Sequence, residues 1–213
     1  MRENLEKKRV RALEIIKVFE TVYSDADCTL DYTSALQLLI ATQLAAQCTD
    51  ARVNLVTPAL FDRYKTVHDF ANADEEELSS YIRSTGFFRN KTKNIIACCK
   101  KLISDFCGEV PKTMDQLLTL PGVGRKTANL VLGDIFGIPG IVVDTHATRL
   151  ANRMGFTTNK DPYKIELDLI KIIPPEYQSS FCHQLVFHGR EYCNARKPKC
   201  DICPIEALCP QKI

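Results

Sequence analysis

The sequence has no apolar run long enough to cross a bilayer and no segment typical of a signal peptide. Its most apolar stretch, residues 35–48, is too short for a membrane span and contains Gln37, Gln43 and Gln47. The N-terminal segment, residues 1–20, is charged and amphipathic. These absences exclude a membrane-spanning protein and predict a soluble, cytoplasmic one.

The chain also lacks an excess of charge of either sign, since 28 Lys and Arg residues stand against 26 Asp and Glu residues. The net charge of +2 gives no indication of nucleic-acid binding, so the distribution of basic residues matters more. These residues form three runs: Arg89, Lys91 and Lys93; Arg125 and Lys126; and Arg190, Arg196, Lys197 and Lys199. Each run taken alone fits a solvated surface as well as a nucleic-acid contact.

Cysteine, by contrast, is abundant, with ten residues. Without a secretion signal the chain is expected where thiols stay reduced, so disulfides are not predicted. Six scattered cysteines are interpreted as small buried hydrophobic residues: Cys28, Cys48, Cys98, Cys99, Cys107 and Cys182. The other four form a tail with the spacing C-x6-C-x2-C-x5-C: Cys193, Cys200, Cys203 and Cys209. Four thiolates in a short loop bind zinc or an iron–sulfur cluster, and the spacing alone leaves both open.

Helical patterns cover nearly the whole chain, so the predicted fold class is all-α. We expect helices over residues 13–19, 34–47, 58–64, 74–84, 90–107, 113–120, 125–136, 144–154, from 161 onward, and 175–188. The helix over residues 34–47 is apolar on most sides and is therefore expected at the centre of a core. The tail after Glu191 is rich in cysteine and proline and is predicted to be loop-like.

Residues 120–128 read LPGVGRKTA, which predicts two helices joined by a Gly-rich turn. The backbone N–H groups of such a turn can point outward and suit a phosphate, as helix N-termini generally do. Lys126 lies beside this turn, near the start of the second helix. One interpretation is a surface lysine that binds phosphate. The sharper one is a nucleophile, because the helix macrodipole and Arg125 repel its positive charge, and a neutral amine forms Schiff bases.

Six blocks of the sequence, taken in order, resemble the endonuclease III family of DNA glycosylases. They are LLIATQLAAQCTD, STGFFRNKTKNI, LPGVGRKTA, VVDTHATRLANR, LVFHGREYC and the four-cysteine tail, and they extend from about Leu38 to Cys209. A PGVG turn by itself is a weak indication, whereas six blocks in the family's order are strong. The resemblance implies an all-α, two-lobed helix-hairpin-helix glycosylase fold. Its helical-barrel lobe would contain residues 28–138, and its second lobe residues 1–27 and 139–213.

The resemblance also implies the activity, that of a bifunctional DNA glycosylase and AP lyase of base excision repair. The expected substrates are oxidised or ring-saturated pyrimidines. Lys126 would attack C1′ of the damaged nucleotide, the base would leave, and β-elimination would nick the strand. Asp144 is predicted from the residues to cap a helix. The resemblance adds that its carboxylate stabilises oxocarbenium-like charge or helps to deprotonate Lys126, and the two functions are compatible.

The expected partner is double-stranded DNA with a damaged pyrimidine or an abasic site, bound by a monomer associated with the nucleoid. The resemblance implies that Gln47 enters the gap left by a flipped base and that Phe87, or else Phe88, intercalates as an apolar wedge. From the residues alone, Gln47 is a solvated helix-end residue and Phe87 a core residue. The other expected DNA contacts are Gly122, Gly124, Arg125, Arg196, Lys197 and Lys199.

The spacing of the tail is similar to the family's own and implies a [4Fe–4S] cluster. The implied ligands are Cys193, Cys200, Cys203 and Cys209. A structural cluster is the default expectation, since it would hold the basic loop between the first two ligands rigid against phosphates. One alternative is a monofunctional mismatch glycosylase, but relatives of that type place another residue at the position of Lys126. The other is a DNA-binding or redox-sensing protein without enzymatic activity, against which Lys126 and Asp144 both argue.

Overall fold

The computed structural model describes residues 3–211, which contain eleven α-helices, four 3₁₀ turns and no strand. The predicted all-α class is therefore confirmed. No helix in this range is both long enough and apolar enough to cross a membrane. The chain divides into two compact units. We call Cys28–Gly137 the continuous unit, and the segments up to Asp27 and from Ile138 onward together form the split unit.

The helices follow one another with short connections. In chain order they are α1 (Leu5–Val22), α2 (Ala35–Leu44), α3 (Asp50–Arg63), α4 (Val67–Ala71), α5 (Glu75–Ile82), α6 (Phe88–Phe106), α7 (Met114–Leu118), α8 (Arg125–Phe136), α9 (Thr145–Arg153), α10 (Pro162–Ile170) and α11 (Gln178–Glu191). The 3₁₀ turns are Arg83–Thr85, Pro175–Tyr177, Cys200–Ile202 and Glu206–Leu208. From Tyr192 to Gln211, the described part of the tail contains only short turns, as predicted.

Helix α2 forms the centre of the continuous unit. Every residue from Leu38 to Leu44 is buried, and α2 packs against α3, α6 and α8. This confirms the prediction of a central helix. Its predicted end at Gln47 is wrong, because α2 ends at Leu44 and Gln47 has a φ of 54°. A residue in this left-handed region cannot continue a right-handed helix.

Side-chain caps fix the starts of several helices where the sequence predicted them. The Thr113 hydroxyl accepts a hydrogen bond from the Gln116 backbone N–H at the start of α7, and the Asp161 carboxylate accepts one from Lys164 at the start of α10. Each cap satisfies an N–H group that lacks a partner within its own helix. These predictions succeeded because a cap depends on residues only three positions apart.

Two further differences from the predicted helices lie in the continuous unit. Pro58 does not lie near the start of a helix but inside α3, which begins at Asp50 after its cap, Thr49. Helix α4 was not predicted, since its five residues are too few to show a helical period. A capping box at Thr66 and Asp69, in which each side chain accepts from the other's backbone N–H, starts this short helix.

The core of the split unit joins α1 to α9, α10 and α11. The buried face of α1 consists of Ala12, Ile15, Ile16 and Phe19. Phe19 stacks on Phe181 of α11 with 6.0 Å between ring centroids. Leu13, the first residue of the helix predicted here, is exposed. The N-terminal helix and the residues after Ile138 therefore share one hydrophobic core.

The six scattered cysteines are not all buried. Cys98, Cys99 and Cys182 are buried, as expected of small hydrophobic residues, whereas Cys28 and Cys48 are half-buried. Cys107 is exposed, so the expectation is wrong there. It follows the last residue of α6 in a left-handed conformation, where the chain leaves the core.

Candidate active site and metal centre

The Gly-rich turn joins α7 to α8 as the predicted hairpin. Gly122 has a φ of 75°, and a Cβ at this position would lie 2.6 Å from Gln43 Oε1 and 2.9 Å from Asn94 Cβ. Glycine tolerates the positive φ and has no Cβ, so it is the only residue that fits at this position without strain. Gly124, the N-cap of α8, has a φ of −106°, and a Cβ there would meet nothing within 4 Å. Packing therefore requires glycine at the first position and not at the second.

Helix α8 begins without a side-chain cap in the described structure, since its N-cap is Gly124. The N-cap residue therefore supplies no acceptor to the start of α8, and the N-terminus of a helix is suited to an anion. Lys126, the second residue of α8, is exposed. The next residues of the helix, from Thr127 to Leu132, are all buried and fix α8 in the unit. An exposed lysine thus projects from a rigid helix start beside potential phosphate donors.

Asp144 belongs to the split unit and is the N-cap of α9, as predicted. Its Oδ1 accepts a hydrogen bond of 2.7 Å from the Ala147 backbone N–H, and the residue is half-buried. This bond orients the carboxylate. Two residues later, His146 is half-buried and its Nδ1 lies 3.1 Å from Arg149 Nη2. A Cβ on Gly189 would collide with that Nδ1, so His146 packs closely on α11.

Gln47 and Phe87 share an unusual backbone conformation. Both are left-handed, with φ of 54° and 49°, and both are exposed. Phe87 is 66% exposed, so its interpretation as a core residue is wrong. Phe88 is half-buried, with the guanidinium groups of Arg83 and Arg89 5.9 and 5.8 Å from its ring centroid. Of the two phenylalanines, Phe87 therefore has the more accessible ring.

Lys91 departs from the sequence interpretation. It was grouped with Arg89 and Lys93 in a basic surface run, and those two residues are exposed. Lys91 is only 6% exposed, and its Nζ donates hydrogen bonds to Leu44 O at 2.7 Å and to Thr85 O at 2.9 Å. Burial lowers the pKa of Lys91. No local signal distinguished it from its neighbours, because its acceptors lie on other elements.

The four tail cysteines line one cavity, whose empty volume is about 420 Å³ including the part open to solvent. All four are half-buried, and none is in a disulfide. Burial raises the pKa of Cys203 and of Cys209, and negative charge on the neighbouring cysteines acts in the same direction. A bound cation reverses this cost, because a coordinating thiol is deprotonated. The donor set therefore fits a metal group.

A zinc ion and a [4Fe–4S] cluster require different arrangements of their ligands. Within residues 3–211, no three His, Cys, Asp or Glu side chains are placed to hold one metal ion. A single zinc ion requires its four ligands around one point, about 2.3 Å from each sulfur. A [4Fe–4S] cluster is held by four cysteine thiolates around a larger body. Four free cysteines around one cavity supply the thiolate set that a [4Fe–4S] cluster requires.

Two arginines of α9 hold the start of the tail. Arg149 Nε donates to Cys193 O at 3.0 Å. Arg153 Nη1 donates to Asn194 O at 2.7 Å and lies 3.3 Å from Cys193 Sγ, and its Nη2 donates to Ala195 O at 2.9 Å. Asp144 and these arginines are thus parts of one helix. Sequence reasoning missed both arginines, although their spacing of four residues places them on one helix face.

A buried chain of polar groups reaches the cavity from the other side. The Tyr23 hydroxyl lies 3.0 Å from His188 Nδ1, and His188 Nε2 lies 3.5 Å from Cys203 Sγ. Burial lowers the pKa of His188 to about 4, so the imidazole is neutral at neutral pH. A neutral imidazole has one donor and one acceptor. In the tautomer in which Nδ1 accepts from the Tyr23 hydroxyl, the Nε2–H is directed at the sulfur.

The basic residues of the tail are accessible to solvent. Arg196, Lys197 and Lys199 are all exposed, in the loop between Cys193 and Cys200. The Lys199 backbone N–H donates to Tyr192 O at 2.8 Å and closes this loop. The structure thus brings the four cysteines and the three basic residues together, while Lys126 and Asp144 belong to different units.

Comparison with known proteins identifies the family. The model of the HhH-GPD superfamily of base excision DNA repair proteins matches residues 40–175. The endonuclease III of Synechocystis sp. is 52% identical over 95% of this chain and 93% of its own length. That of Escherichia coli is 40% identical over 96% of this chain and 97% of its own. The chain belongs to the endonuclease III family. The family prediction made from the six sequence blocks is therefore confirmed.

Solved structures agree with the endonuclease III assignment. A trapped endonuclease III–DNA covalent intermediate, an estranged-adenine complex, has a TM-score of 0.90 at 44% identity, covering 95% of this chain and 96% of the other. A non-covalent endonuclease III–DNA complex has the same TM-score and identity and covers 95% of each chain. A thermostable thymine-DNA glycosylase, at 24% identity and a TM-score of 0.83 over 97% of each chain, shares the fold.

Membership in the endonuclease III family establishes the activity. The protein is a DNA glycosylase of base excision repair with AP lyase activity. The alternative of a DNA-binding protein without enzymatic activity is therefore wrong. The endonuclease III family carries a [4Fe–4S] cluster. The matched range contains Lys126 and Asp144 and ends before the four tail cysteines.

Proposed function

We propose that Lys126 is the nucleophile of the endonuclease III reaction in this protein. Its Nζ bonds to C1′ of the damaged nucleotide while the glycosidic C1′–N bond breaks and the base leaves with a proton. The deoxyribose ring then opens as the C1′–O4′ bond breaks and O4′ takes a proton, which leaves a protonated Schiff base between C1′ and Nζ. The Schiff base acidifies C2′, loss of the C2′ proton breaks the C3′–O bond, and water hydrolyses the C1′=N bond to release the enzyme. The observation that carries this proposal is the position of Lys126, exposed at the second residue of a rigid helix start.

Asp144 is proposed to act on the same nucleotide. The hydrogen bond from Ala147 N–H fixes Oδ1, so the carboxylate has one defined orientation. A fixed anion beside C1′ stabilises the positive charge that develops as the base departs, and it can take a proton from Lys126. Since the cap requires no negative charge, an amide can replace the carboxylate structurally without replacing it chemically.

The helix-hairpin-helix is proposed to bind a DNA phosphate. The backbone at Gly122 and Gly124 and the uncapped start of α8 present N–H donors, and Arg125 adds positive charge beside them. In the tail, the exposed side chains of Arg196, Lys197 and Lys199 are proposed to contact further phosphates. These contacts hold the backbone in register and carry no base specificity.

Gln47 and Phe87 are proposed to enter the duplex. Removing a nucleotide from the stack leaves a gap, and an exposed glutamine can fill it and bond to the unpaired base. An exposed phenylalanine ring can intercalate beside it as a wedge. The support comes from their shared conformation, since non-glycine residues in the left-handed region are unfavourable and often occur at functional sites. The exposure of Phe87 makes it the wedge in place of Phe88.

The four tail cysteines are proposed to hold a [4Fe–4S] cluster. When bound, the cluster would supply a rigid anchor of iron and sulfide to which the loop carrying Arg196, Lys197 and Lys199 is tied. The residues themselves orient this loop: Arg153 fixes its first carbonyls, and the Lys199 N–H closes it on Tyr192. The thiol set and the cavity support this assignment.

The substrate is proposed to be an oxidised or ring-saturated pyrimidine, or an abasic site, in double-stranded DNA. The protein is proposed to act as a monomer on the nucleoid. The test is reduction with borohydride during reaction with a duplex containing an abasic site or an oxidised pyrimidine. The unmutated protein is expected to form a covalent adduct, and Lys126→Gln is expected to bind the duplex without forming it.

Lys100→Gln is the matched control, because Lys100 is also an exposed helical lysine of the continuous unit. It is expected to retain the adduct. Strand cleavage that persists in Lys126→Gln would show that another amine acts. An adduct with abasic DNA but none with any oxidised pyrimidine would leave the lyase chemistry standing and refute the proposed substrate class.

A further inference from the structure

Lys91 is a buried cation whose bonds join two loops of the continuous unit. Its Nζ donates to Leu44 O, the last residue of α2, and to Thr85 O, the last residue of the 3₁₀ turn before α6. Leu44 is separated from Lys91 by 47 positions in sequence. One ammonium group therefore fixes the distance between two chain segments that are not neighbours in sequence.

Each of these acceptors stands at the base of a loop with an exposed residue at its tip. The chain leaves α2 at Leu44 and reaches Gln47 within one turn. On the other side, it passes from Thr85 through Gly86 to Phe87. The backbone N–H of Lys91 also donates to Phe87 O, at 3.1 Å. Lys91 thus holds the second loop at both ends and the first loop at its start.

The groups around the Lys91 Nζ suit a cation. Both acceptors are backbone carbonyls, and Leu44 O lies at the C-terminal end of α2, where the helix macrodipole favours positive charge. Burying an ammonium group nevertheless costs free energy, and a hydrophobic residue would fill the same space without that cost. A buried ionic group that persists against this cost can serve to specify one arrangement of the chain.

We propose that Lys91 is a positioning residue for DNA recognition, which fixes the loops of Gln47 and Phe87 at one spacing so that both side chains enter the duplex together. The inference rests on the proposed entry of these two residues into the base stack. A gap and an intercalation site on DNA are a set distance apart, so the two side chains must match that distance. A misplacement of about 1 Å in such an arrangement can cost roughly a hundredfold in rate.

The test uses a duplex with a stable abasic analogue opposite 2-aminopurine, whose fluorescence rises when it is unstacked. Lys91→Met keeps the length and hydrophobic stem of the side chain and removes its donors. We expect it to reduce the fluorescence rise and to weaken binding about tenfold. Lys100→Met, an exposed position on the same helix, is expected to behave as the unmutated protein. Borohydride trapping on single-stranded abasic DNA, which has no stack to enter, should change less than about twofold in either variant.

A merely structural function is separated from positioning by a mutant cycle. In a Gln47→Ala/Phe87→Ala background, Lys91→Met is expected to cause no further loss of binding or fluorescence, because the residues it positions are already absent. An equal loss in both backgrounds would overturn the inference, as would a Lys91→Met variant that behaves like the unmutated protein.

Folding is checked by circular dichroism, and Lys91→Gln, which retains an amide donor, is the second variant. If neither variant folds, Lys91 serves the stability of the whole unit and the positioning inference is overturned. If the unmutated protein itself gives no fluorescence rise, the proposed entry of Gln47 and Phe87 fails together with the inference. If the rise depends on Gln47 and Phe87 but not on Lys91, the inference alone fails.

Discussion

Substituting the two glycines of the hairpin separates the stability of the turn from its binding of DNA. Gly122→Ala places a Cβ 2.6 Å from Gln43 Oε1 and 2.9 Å from Asn94 Cβ. Gln43 is 4% exposed, so its side chain has little room to move, and Asn94 Cβ is attached directly to the backbone of α6. The left-handed φ costs an alanine about 1 kcal/mol. The overlap adds about 1–3 kcal/mol, as overpacked cores generally do.

Together these effects predict that Gly122→Ala lowers the free energy of unfolding by about 2–4 kcal/mol. For a chain of this size the melting temperature should fall by roughly 4–16 °C. Gly124→Ala is the matched control, because its φ is negative and its Cβ meets nothing within 4 Å. Its cost should stay within about 1 kcal/mol, the difference between glycine and alanine as an N-cap.

The assay combines thermal unfolding by circular dichroism with DNA binding at two salt concentrations. Gly124→Ala is expected to fold normally and to bind DNA more weakly, since its new methyl group occupies the open space in which a phosphate would sit. For Gly122→Ala, the main expected effect is a lower melting temperature. A melting temperature unchanged by Gly122→Ala, or lowered more by Gly124→Ala, would refute this reasoning.

Two further predictions concern the split unit. Asp144→Asn should change the free energy of unfolding by less than about 0.5 kcal/mol, because asparagine caps helices as well as aspartate does; single-turnover assays should nevertheless show base release slowed by roughly a hundredfold or more. A variant with an unchanged rate would show that the negative charge is not used. His188→Phe keeps an aromatic ring beside Tyr192 but removes the N–H directed at Cys203, so voltammetry of the holoprotein should find a lower reduction potential. An unchanged potential would show that this hydrogen bond does not act on the cluster.

The features that could be predicted from the sequence depend on neighbouring residues. The caps at Thr113, Asp144 and Asp161 were predictable because each joins residues only three positions apart. The hairpin was predictable because Gly122 adopts a φ that other residues avoid. The grouping of the four tail cysteines followed from their short spacing, which brings them around one cavity.

The features that could not be predicted depend on contacts between distant residues. Lys91 looked like a member of a basic surface run, but its acceptor Leu44 O is 47 positions away and only the packed unit places it there. Gln47 was expected in a helix but has a left-handed φ. The turn into α3 sets this φ, and the helical propensity of Gln47 does not reveal it. Similarly, the bond between Tyr23 and His188 spans 165 positions.

The central claim is that Lys126 forms the covalent bond to DNA. The most direct measurement is tandem mass spectrometry of peptides from the unmutated protein after borohydride trapping on an oxidised-pyrimidine duplex and digestion. The account predicts that the mass of the reduced sugar fragment lies on Lys126 and on no other lysine. The same mass on a different lysine, or on the N-terminal amine, would contradict it.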